Sequence, residues 1–436
     1  MIAMPTGSPA HRRGRPCLHR SRKEPLRNSV GTSVVTGDPH CHRYNRRVAS
    51  VVVNSRVSTR PTWAEVSLAN LSHNFRAVQK HVGASLVCAV VKADAYGHGA
   101  VACSRALEDA GARWFGVTTT DEALPLRHAG VRGRILLMTG FWRGEEEEVV
   151  RQNLTPTVWE PWHLALLERA AAKLGVRAPV HMKIDTGMGR LGASLEELPG
   201  LLIALHTTTH LQLEGLCTHF ASSEVVDAPE MERQTEKFAA AEKLVREAGF
   251  SPEILHLANT AAVVSRPASW RSMVRPGLAL YGYSLPLQGG GDLQPEAPAS
   301  LDLRPVLSWK TLVLSVHDAP AGQGLGYGGT FVPKTASRIA VLPLGYADGL
   351  VRRLSNRGRV IVRDHFAPIV GRISMDLTLV DVTGIPDVSL GDEVILLGKS
   401  ESCAVDAWEQ ARLADTLPYE ILCGISKRVP RKYNGG

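Results

Sequence analysis

The chain has 436 residues, of which 44% are hydrophobic and 21% charged, so it can bury a full-sized core and is too long for one small module. Its 40 glycines and 26 prolines exclude a collagenous or low-complexity chain, and no apolar run approaches the about 20 residues that a membrane-spanning helix needs. The formal net charge of +8 would indicate a nucleic-acid partner only if the basic residues formed a face of the folded protein.

Residues 1–60 carry the whole positive excess. They hold twelve Lys or Arg and only two acidic residues, show no helical or strand periodicity, and lack the continuous apolar segment of a secretory signal peptide. We expect a disordered basic extension, or an upstream stretch included by a start codon set too early, rather than an organelle transit peptide. We therefore expect neither nucleic acid nor a membrane as a partner, and the cytoplasm as the location.

The seven cysteines predict free thiols in a reducing compartment. Their number is odd and no C-x-x-C pair occurs among them. A histidine and cysteine group in the basic extension matches no known zinc spacing, so no metal site is predicted. Its members are Cys17, His19, His40, Cys41 and His42.

Residues 61–290 predict a TIM-like (β/α)₈ barrel. Short, β-branched apolar runs alternate there with segments of helical periodicity, which is typical of a parallel sheet. Eight such runs over about 200 residues fit a closed barrel better than an open doubly wound sheet. The predicted strands are 87–93, 115–119, 134–139, 155–160, 180–185, 211–219, 253–259 and 273–281.

Residues 300–436 predict a second, mainly β domain. Six strands follow one another there across short Gly, Asp and Pro turns, with little room for crossover helices. The glycine-rich segment 289–300 is the predicted boundary, and the strand near 63–68 is able to pack with the C-terminal domain. The predicted strands are 306–317, 338–343, 359–362, 368–370, 377–382 and 393–397.

Lys92 is the first candidate functional residue. It leaves the first barrel strand beside a glycine-rich turn that contains Tyr96, and functional residues of such barrels emerge at the carboxyl ends of strands. Desolvation there would lower the pKa of the lysine and suit it to Schiff-base chemistry. On this segment alone, a lysine that merely extends its ammonium group into solvent is an equally good interpretation.

Other strand ends carry polar residues too. The glycine-rich segment 183–190 ends in Arg190, whose planar fork suits a carboxylate, and His219 follows the sixth strand. The last two strands lead into segments 259–260 and 275–277. Polar groups and glycines at five of eight strand ends predict a site for an anionic, phosphate-bearing ligand.

Seven segments, taken together, resemble the alanine racemase family, whose members are fold-type III pyridoxal phosphate enzymes. They follow one another in family order from about Arg60 to Tyr433 and leave only the basic extension uncovered. Each motif alone is weak, whereas seven in order are highly specific. The segments are 89–99, 183–190, 218–220, 274–277, 345–349, 371–376 and 428–431.

The resemblance implies that Lys92 carries pyridoxal 5'-phosphate and that Arg275 faces its ring nitrogen. An arginine stays protonated and cannot accept a proton, so the ring nitrogen would remain neutral and the cofactor would be a weaker electron sink. This favours proton exchange over decarboxylation or transamination. The resemblance places these further residues around the cofactor: Tyr96, His219, Asn259, Thr260, Gly277, Leu278 and Tyr419.

The resemblance also implies racemisation of alanine by two bases, supplying D-alanine for peptidoglycan. Lys92 would serve the D face and Tyr327 the L face, because a planar carbanion must be reprotonated on the opposite side by a different group. Tyr327 would come from the partner subunit of a homodimer and form a hydrogen bond with His219. Judged without the resemblance, it is an ordinary turn tyrosine. Arg190 and the main chain of Met375 would hold the substrate carboxylate. Supporting residues of the same motifs are Lys183, which would orient Arg190, Asp376 and Tyr346.

The chain departs from the family at several positions. Gly326 precedes Tyr327 where a serine is usual, and Thr260 replaces a common serine; Leu377 and Pro418 stand where glutamine and asparagine are usual. None of these changes removes a proton-transferring group.

Three other functions remain open. A broader-specificity amino-acid racemase would be expected to carry a signal peptide, and a fold-type III decarboxylase would carry a C-terminal cysteine-and-acid motif that we do not find. A non-catalytic cofactor carrier would lack the β domain.

Overall fold

The computed structural model describes residues 60–225, 228–288 and 301–435. The basic extension, including Cys17, His19, His40, Cys41 and His42, lies outside these residues, as does the predicted boundary at 289–300. Within the described residues, no helix combines the length and apolar character needed to cross a membrane.

The described chain begins with β1 (Thr62–Ser67) and α1 (Leu68–Val82). Ser67 caps the helix by accepting a hydrogen bond from the Asn70 N–H group. Asn74 lies on the buried face, and its side chain donates to the Leu280 and Arg304 carbonyls. A satisfied buried amide therefore ties α1 to the end of the barrel and to the start of the C-terminal region.

Eight parallel strands form the barrel, as the sequence predicted. The chain order is β2 (Leu86–Val90), α2 (Lys92–Tyr96), α3 (Ala100–Asp109), β3 (Trp114–Val117), α4 (Thr120–His128), β4 (Arg134–Leu137), α5 (Glu146–Arg151), β5 (Leu154–Val158), α6 (Pro161–Leu174), β6 (Ala178–Lys183), α7 (Leu198–His206), β7 (Leu211–Cys217), α8 (Pro229–Glu247), β8 (Ile254–His256), α9 (Thr260–Ser265) and β9 (Met273–Val274). The sheet order is β8-β7-β6-β5-β4-β3-β2-β9.

The barrel is nearly closed between β8 and β9. The Ser272 N–H group donates to the Leu255 carbonyl at 3.1 Å, and the Arg275 N–H group donates to the Ala258 carbonyl at 2.9 Å. The last strand is shorter than the predicted 273–281, because Pro276 has no N–H group and the chain turns into a 3₁₀ segment at Leu278–Tyr281.

The C-terminal part forms one mostly antiparallel sheet, again as predicted. Its elements are β10 (Leu307–Leu312), β11 (Ser315–Ala319), β12 (Ser337–Leu342), β13 (Arg359–Val362), β14 (His365–Val370), β15 (Thr378–Asp381), β16 (Glu393–Lys399), β17 (Ala404–Val405), α10 (Ala407–Ala414), α11 (Pro418–Gly424) and β18 (Arg431–Asn434). The order is β11-β12-β15-β14-β13-β16-β10-β1-β18. β1 pairs with β10 antiparallel and with β18 in parallel.

The predicted strand 306–317 is wrong as a single element. It breaks after Leu312, where the Val313 N–H group donates to the Asp392 carbonyl and the Leu314 N–H group to the Val341 carbonyl. The chain thereby passes from the neighbour of β16 to the neighbour of β12. The sequence analysis also did not predict the two C-terminal helices or the last two strands.

The C-terminal region packs directly against the turn that follows Lys92. Gly97 has a φ of +81°, and a Cβ there would lie 2.4 Å from the Leu422 carbonyl oxygen of α11, so only glycine allows this approach. Arg431 donates to the Gly97 carbonyl at 2.9 Å. The region therefore supports the first strand end of the barrel.

Candidate active site

Lys92 lies at the start of a left-handed turn. The four residues Ala93–Tyr96 all have φ between +52° and +54°, a conformation that costs an ordinary residue roughly 1–2 kcal/mol. Hydrogen bonds hold the turn: the Ala93 N–H group donates to Glu122 at 2.7 Å, and Asp94 accepts from the Ala100 N–H group at 2.7 Å. Strain of this kind, held by its surroundings, is typical of functional sites.

A pocket at the mouth of the barrel brings together several of the predicted residues. Four cationic side chains reach it, and none of the described residues that line it is acidic. An uncompensated positive pocket suits an anionic ligand. The lining residues are Lys92, Thr118, Leu136, Met138, Thr139, Thr157, Lys183, Arg190, Leu191, Cys217, His219, His256 and Arg275.

Burial changes the protonation of this pocket. It lowers the pKa of Lys92, and the positive charge of Arg190 lowers that pKa further. Burial likewise lowers the pKa of Lys183. Since desolvation disfavours the ammonium form, both side chains are shifted toward the free amine, which is the nucleophilic form.

His219 is neutral in this pocket. Burial, followed by the charge of Arg275, lowers its pKa to about 2. The Arg275 guanidinium can only donate, and it lies 3.4 Å from Nδ1 of His219. The histidine proton must therefore be on Nε2, which leaves an N–H donor for another group.

Arg275 is buried and fixed by acceptors. It donates to the Thr218 carbonyl at 2.8 Å and to the Leu257 carbonyl at 3.1 Å. It also donates to Nδ1 of His256 at 2.7 Å. The guanidinium therefore has little freedom to turn away from the pocket.

A second group of predicted residues forms what we call the glycine corner, made of Tyr96, Thr260 and Gly277. The Gly277 N–H group donates to Oγ1 of Thr260 at 2.9 Å. A Cβ at Gly277 would lie 2.3 Å from the Tyr96 hydroxyl oxygen. The corner gathers two buried hydroxyl groups beside main chain that carries no side chain, which is a suitable setting for a phosphate group.

Three further predicted residues surround the glycine corner. The Tyr419 ring lies 5.8 Å from the Tyr96 ring, measured between centroids, and Leu278 is fully buried beside Gly277. Asn259 precedes the corner and caps α9 by accepting from the Ala262 N–H group at 3.1 Å. Its amide thus acts on the backbone that carries Thr260.

The loop after β6 returns Arg190 to the pocket. Asp185 accepts from the Gly187 N–H group at 2.9 Å and from the Gly189 N–H group at 3.1 Å. Gly192 has a φ of +130°, and a Cβ there would lie 2.4 Å from the Asp185 nitrogen. The tight loop therefore needs its glycines, and Arg190 lines the same pocket as Lys183.

The C-terminal domain keeps its predicted residues away from this pocket. The Tyr327 side chain is 72% exposed and Met375 is 53% exposed, and neither lines the pocket that contains Lys92. Tyr346 is also exposed, and Asp376 pairs with Arg428 at 2.7 Å. One chain alone does not bring the two predicted bases together.

The sequence analysis missed several residues of the pocket. Thr118, Thr139 and Thr157 lie within or at the end of strands that were predicted, but as hydroxyls among β-branched residues they gave no distinct signal. His256 was also missed, although it is a polar residue inside an otherwise apolar strand, Ile254–His256. A buried polar residue in such a strand needs a partner, and this signal was available.

Comparison with known proteins gives matches over nearly the whole described chain. The family model of the alanine racemase N-terminal domain matches residues 66–285, and that of the alanine racemase C-terminal domain matches residues 306–433. Alanine racemase from Halothermothrix orenii is 41% identical over 382 residues, covering 87% of this chain and 98% of the relative.

Solved structures agree. Alanine racemase from a D-cycloserine-producing Streptomyces lavendulae superposes with a TM-score of 0.81 at 36% identity, covering 86% of this chain and 98% of the other. Alanine racemase from Bartonella henselae, with covalently bound pyridoxal phosphate, gives a TM-score of 0.75 at 30% identity and covers 86% of this chain and 99% of its own.

Proposed function

The chain belongs to the alanine racemase family, and from this premise we propose that it interconverts L- and D-alanine through two bases, Lys92 and Tyr327. The family assignment makes it a pyridoxal phosphate-dependent enzyme acting on alanine. The observation that carries the proposal is the placement of Lys92, at a strained strand end inside a pocket lined by cations and by no acid.

The residues present fit pyridoxal 5'-phosphate. The absence of a Cβ at Gly277 lets the Tyr96 hydroxyl come close to the main chain, and Lys92 has a pKa lowered by burial, which favours the amine that forms a covalent link to an aldehyde. Lys92 would hold the cofactor, the glycine corner its phosphate, and Arg275 would face its ring nitrogen. When bound, the cofactor withdraws electrons from the α-carbon of alanine and so makes its hydrogen acidic.

Lys92 would hold or release the proton on the D face of the substrate. Its pKa is lowered by burial, which brings the amine closer to the working pH at which a general base is most effective. A single base would return the proton to the face from which it came. Inversion therefore requires a second group on the opposite face.

Tyr327 would be that second group, contributed by the partner subunit of a homodimer. The exposure of Tyr327 and Met375, together with their absence from the pocket of their own chain, supports a site completed by a second copy. The Nε2–H group of neutral His219 would donate to the Tyr327 oxygen. That hydrogen bond would stabilise the deprotonated oxygen that accepts the proton on the L face.

Arg190 and the main chain of Met375 would hold the substrate carboxylate. Arg190 lines the pocket beside Lys183, and its planar guanidinium can bind both carboxylate oxygens. Lys183 would orient Arg190, and Asp376 and Tyr346 would support the segment that carries Met375. The Tyr346 N–H group donates to the carbonyl of Ser374, the residue before Met375, at 3.0 Å.

We further propose that the enzyme works in the cytoplasm and supplies D-alanine for peptidoglycan. Family membership supports this role. A strain without the gene, and without any other racemase of this activity, should need D-alanine to grow. Growth of that strain without D-alanine would contradict the cell-wall role.

The direct test uses the purified enzyme with its cofactor. Borohydride reduction followed by peptide mass spectrometry should place the cofactor on Lys92, and kcat/KM measured in both directions across a panel of amino acids should be highest for alanine. Comparable kcat/KM values for larger amino acids would favour a broader-specificity racemase, and release of carbon dioxide would favour a decarboxylase.

A further inference from the structure

A chain of hydrogen bonds runs through the barrel interior from the active site to the opposite end. Arg275 donates to Nδ1 of His256 at 2.7 Å, and Nε2 of His256 lies 2.8 Å from Nδ1 of His181. Nε2 of His181 lies 3.2 Å from Glu214, which Arg134 binds through two hydrogen bonds of 2.8 and 2.7 Å. We call Arg275, His256, His181 and Glu214 the interior chain.

The interior chain has a single direction. A guanidinium can only donate, so Nδ1 of His256 must accept and its proton must be on Nε2. That N–H group then donates to Nδ1 of His181, which must carry its own proton on Nε2 and donate it to Glu214. Both tautomers are thus fixed by one arginine at one end and one carboxylate at the other.

The barrel is shaped to hold this chain. A Cβ at Gly215 would lie 2.6 Å from the His181 ring, so glycine makes room for the imidazole. The register between β6 and β7 shifts at Val180/His181. Burial lowers the pKa of both His181 and His256, which agrees with two neutral imidazoles.

Glu214 is the acidic end of the hydrogen-bond path that begins at Arg275, and its own charge is paired with Arg134. Within the described residues, no carboxylate forms an ion pair with Arg275, although it is buried. A buried cation without compensation is costly. Glu214 is the one acidic group on the hydrogen-bond path from Arg275 through the described barrel, and Arg134, at the first residue of β4, holds it in place.

We propose that Glu214 is a positioning residue for Arg275, acting through His181 and His256. It accepts from the His181 end of the interior chain, which favours the two imidazole tautomers in which Nδ1 of His256 accepts from Arg275. The inference rests on the proposed function in one respect, namely that Arg275 faces the cofactor ring. A guanidinium held in this way would keep its donor aimed at the ring nitrogen throughout the reaction.

The test compares Glu214→Gln with wild type, both carrying the cofactor. The amide keeps the size of Glu214 and can still accept from Arg134, but it has no charge and can also donate to His181. An amide donor facing His181 would favour reversal of both imidazoles, but a reversed His256 would place an N–H group against the Arg275 donor, so one hydrogen bond of the interior chain must be lost. We therefore expect nitrogen NMR of histidine-labelled protein to show only Nε2 tautomers of His181 and His256 in wild type and an added population of Nδ1 tautomers in the variant.

Kinetics provide the second readout. In Glu214→Gln, kcat should fall about 10- to 100-fold in both directions, the range found when the outer partners of functional histidines are removed, while KM stays within about twofold. Glu214→Asp keeps the carboxylate and should retain the Nε2 tautomers and most of the rate. Glu168→Gln is the matched control, because Glu168 pairs with His210 at 2.9 Å and does not belong to the interior chain.

Several results would overturn the proposal. Wild-type His181 or His256 protonated on Nδ1 would refute the direction of the chain even if Glu214→Gln does not fold. Unchanged tautomers in a folded Glu214→Gln protein would reduce Glu214 to a structural residue. An inactive wild-type enzyme would instead refute the proposed function, and the tautomer measurement would remain independent of it.

Discussion

Several functional residues at the barrel mouth are buried, whereas those of the C-terminal domain, Tyr327 and Met375, lie on an exposed edge. Arg275 and Lys183 are buried, and burial lowers the pKa of both side chains. Tyr327 and Met375 stand in solvent. A barrel can bury reactive groups and shift their pKa values within one chain. Groups on the exposed edge would be buried only by contact with a second copy.

The largest expected effect belongs to the barrel mouth. Lys92→Ala should abolish racemisation in both directions, because it removes both the attachment point of the cofactor and the base on the D face. The measurement is chiral chromatography of the products together with the reducible absorbance of bound cofactor.

Lys183→Met is the matched control for that variant. Lys183 lines the same pocket and also has a pKa lowered by burial, but it is not proposed to carry the cofactor. It should keep the reducible linkage. A reducible linkage that persists in Lys92→Ala would show that another lysine holds the cofactor.

The exposed edge is tested by Tyr327→Phe. The ring is kept and only the hydroxyl is lost, so the fold should survive. Exchange of the α-hydrogen of D-alanine with deuterated solvent should continue through Lys92, while racemisation falls by roughly 10²- to 10⁴-fold, as is typical for loss of a positioned acid or base. Equal loss of exchange and racemisation would contradict separate bases.

Mixing the two inactive variants tests whether Tyr327 acts across the interface. After subunit exchange, a dimer of Lys92→Ala with Tyr327→Phe has one site with both defects and one with neither. Random pairing should therefore restore about one quarter of the wild-type sites. Exchange that is demonstrated by labelled subunits, but restores no activity, would place Tyr327 in its own chain's site.

The contrast between the two regions also explains what could be predicted from the sequence. Periodicity located the eight barrel strands, because each is apolar and flanked by helices, and it located β13 (Arg359–Val362) to the residue. It could not reveal the parallel pair of β1 and β18, since partners such as Ala64 and Arg431 lie at opposite ends of the described chain.

The site residues also divide into those that the sequence could predict and those that it could not. Lys92, Arg190 and Arg275 were recognisable because they lie within or just after predicted strands, and parallel strands end at one face of a barrel. The interior chain was not found, because which polar residues of different strands meet depends on barrel stagger. The surroundings of Tyr327 depend on a second chain, about which one sequence contains no local pattern.

A buried histidine of the barrel makes it possible to test the contrast between the two regions through the pH dependence of stability. His163 is buried in the barrel, its ring stacks on Trp162 at a centroid distance of 3.8 Å, and neither ring nitrogen has a partner among the described residues. Burial lowers its pKa to about 4. Because the unfolded chain binds this proton near pH 6.5, stability is present above that pH and is lost as pH falls toward 4.

Through His163, the free energy of unfolding of the wild type should fall by about 2 kcal/mol between pH 7 and pH 5. His163→Phe should lack this part of the fall. Chemical denaturation at the two pH values measures this difference. His317→Phe, at an exposed position of the C-terminal domain, is the control and should leave the pH dependence unchanged. An unchanged pH dependence in His163→Phe would mean that His163 is not held neutral.

The smallest effect is expected at the amino end of the described chain, near Arg60. Removal of residues 1–59 should leave activity and melting temperature unchanged, because that segment has no periodic apolar face to bury.

Arg60 must stay, since it binds buried Asp348 through hydrogen bonds of 2.9 and 3.1 Å. Arg60→Met in the full chain should lower the free energy of unfolding by about 1 kcal/mol, a modest loss because Arg60 is partly exposed and Asp348 also accepts from the Gly345 N–H group. A truncated protein that keeps Arg60 but is less stable than the full chain would show that the extension packs against the enzyme.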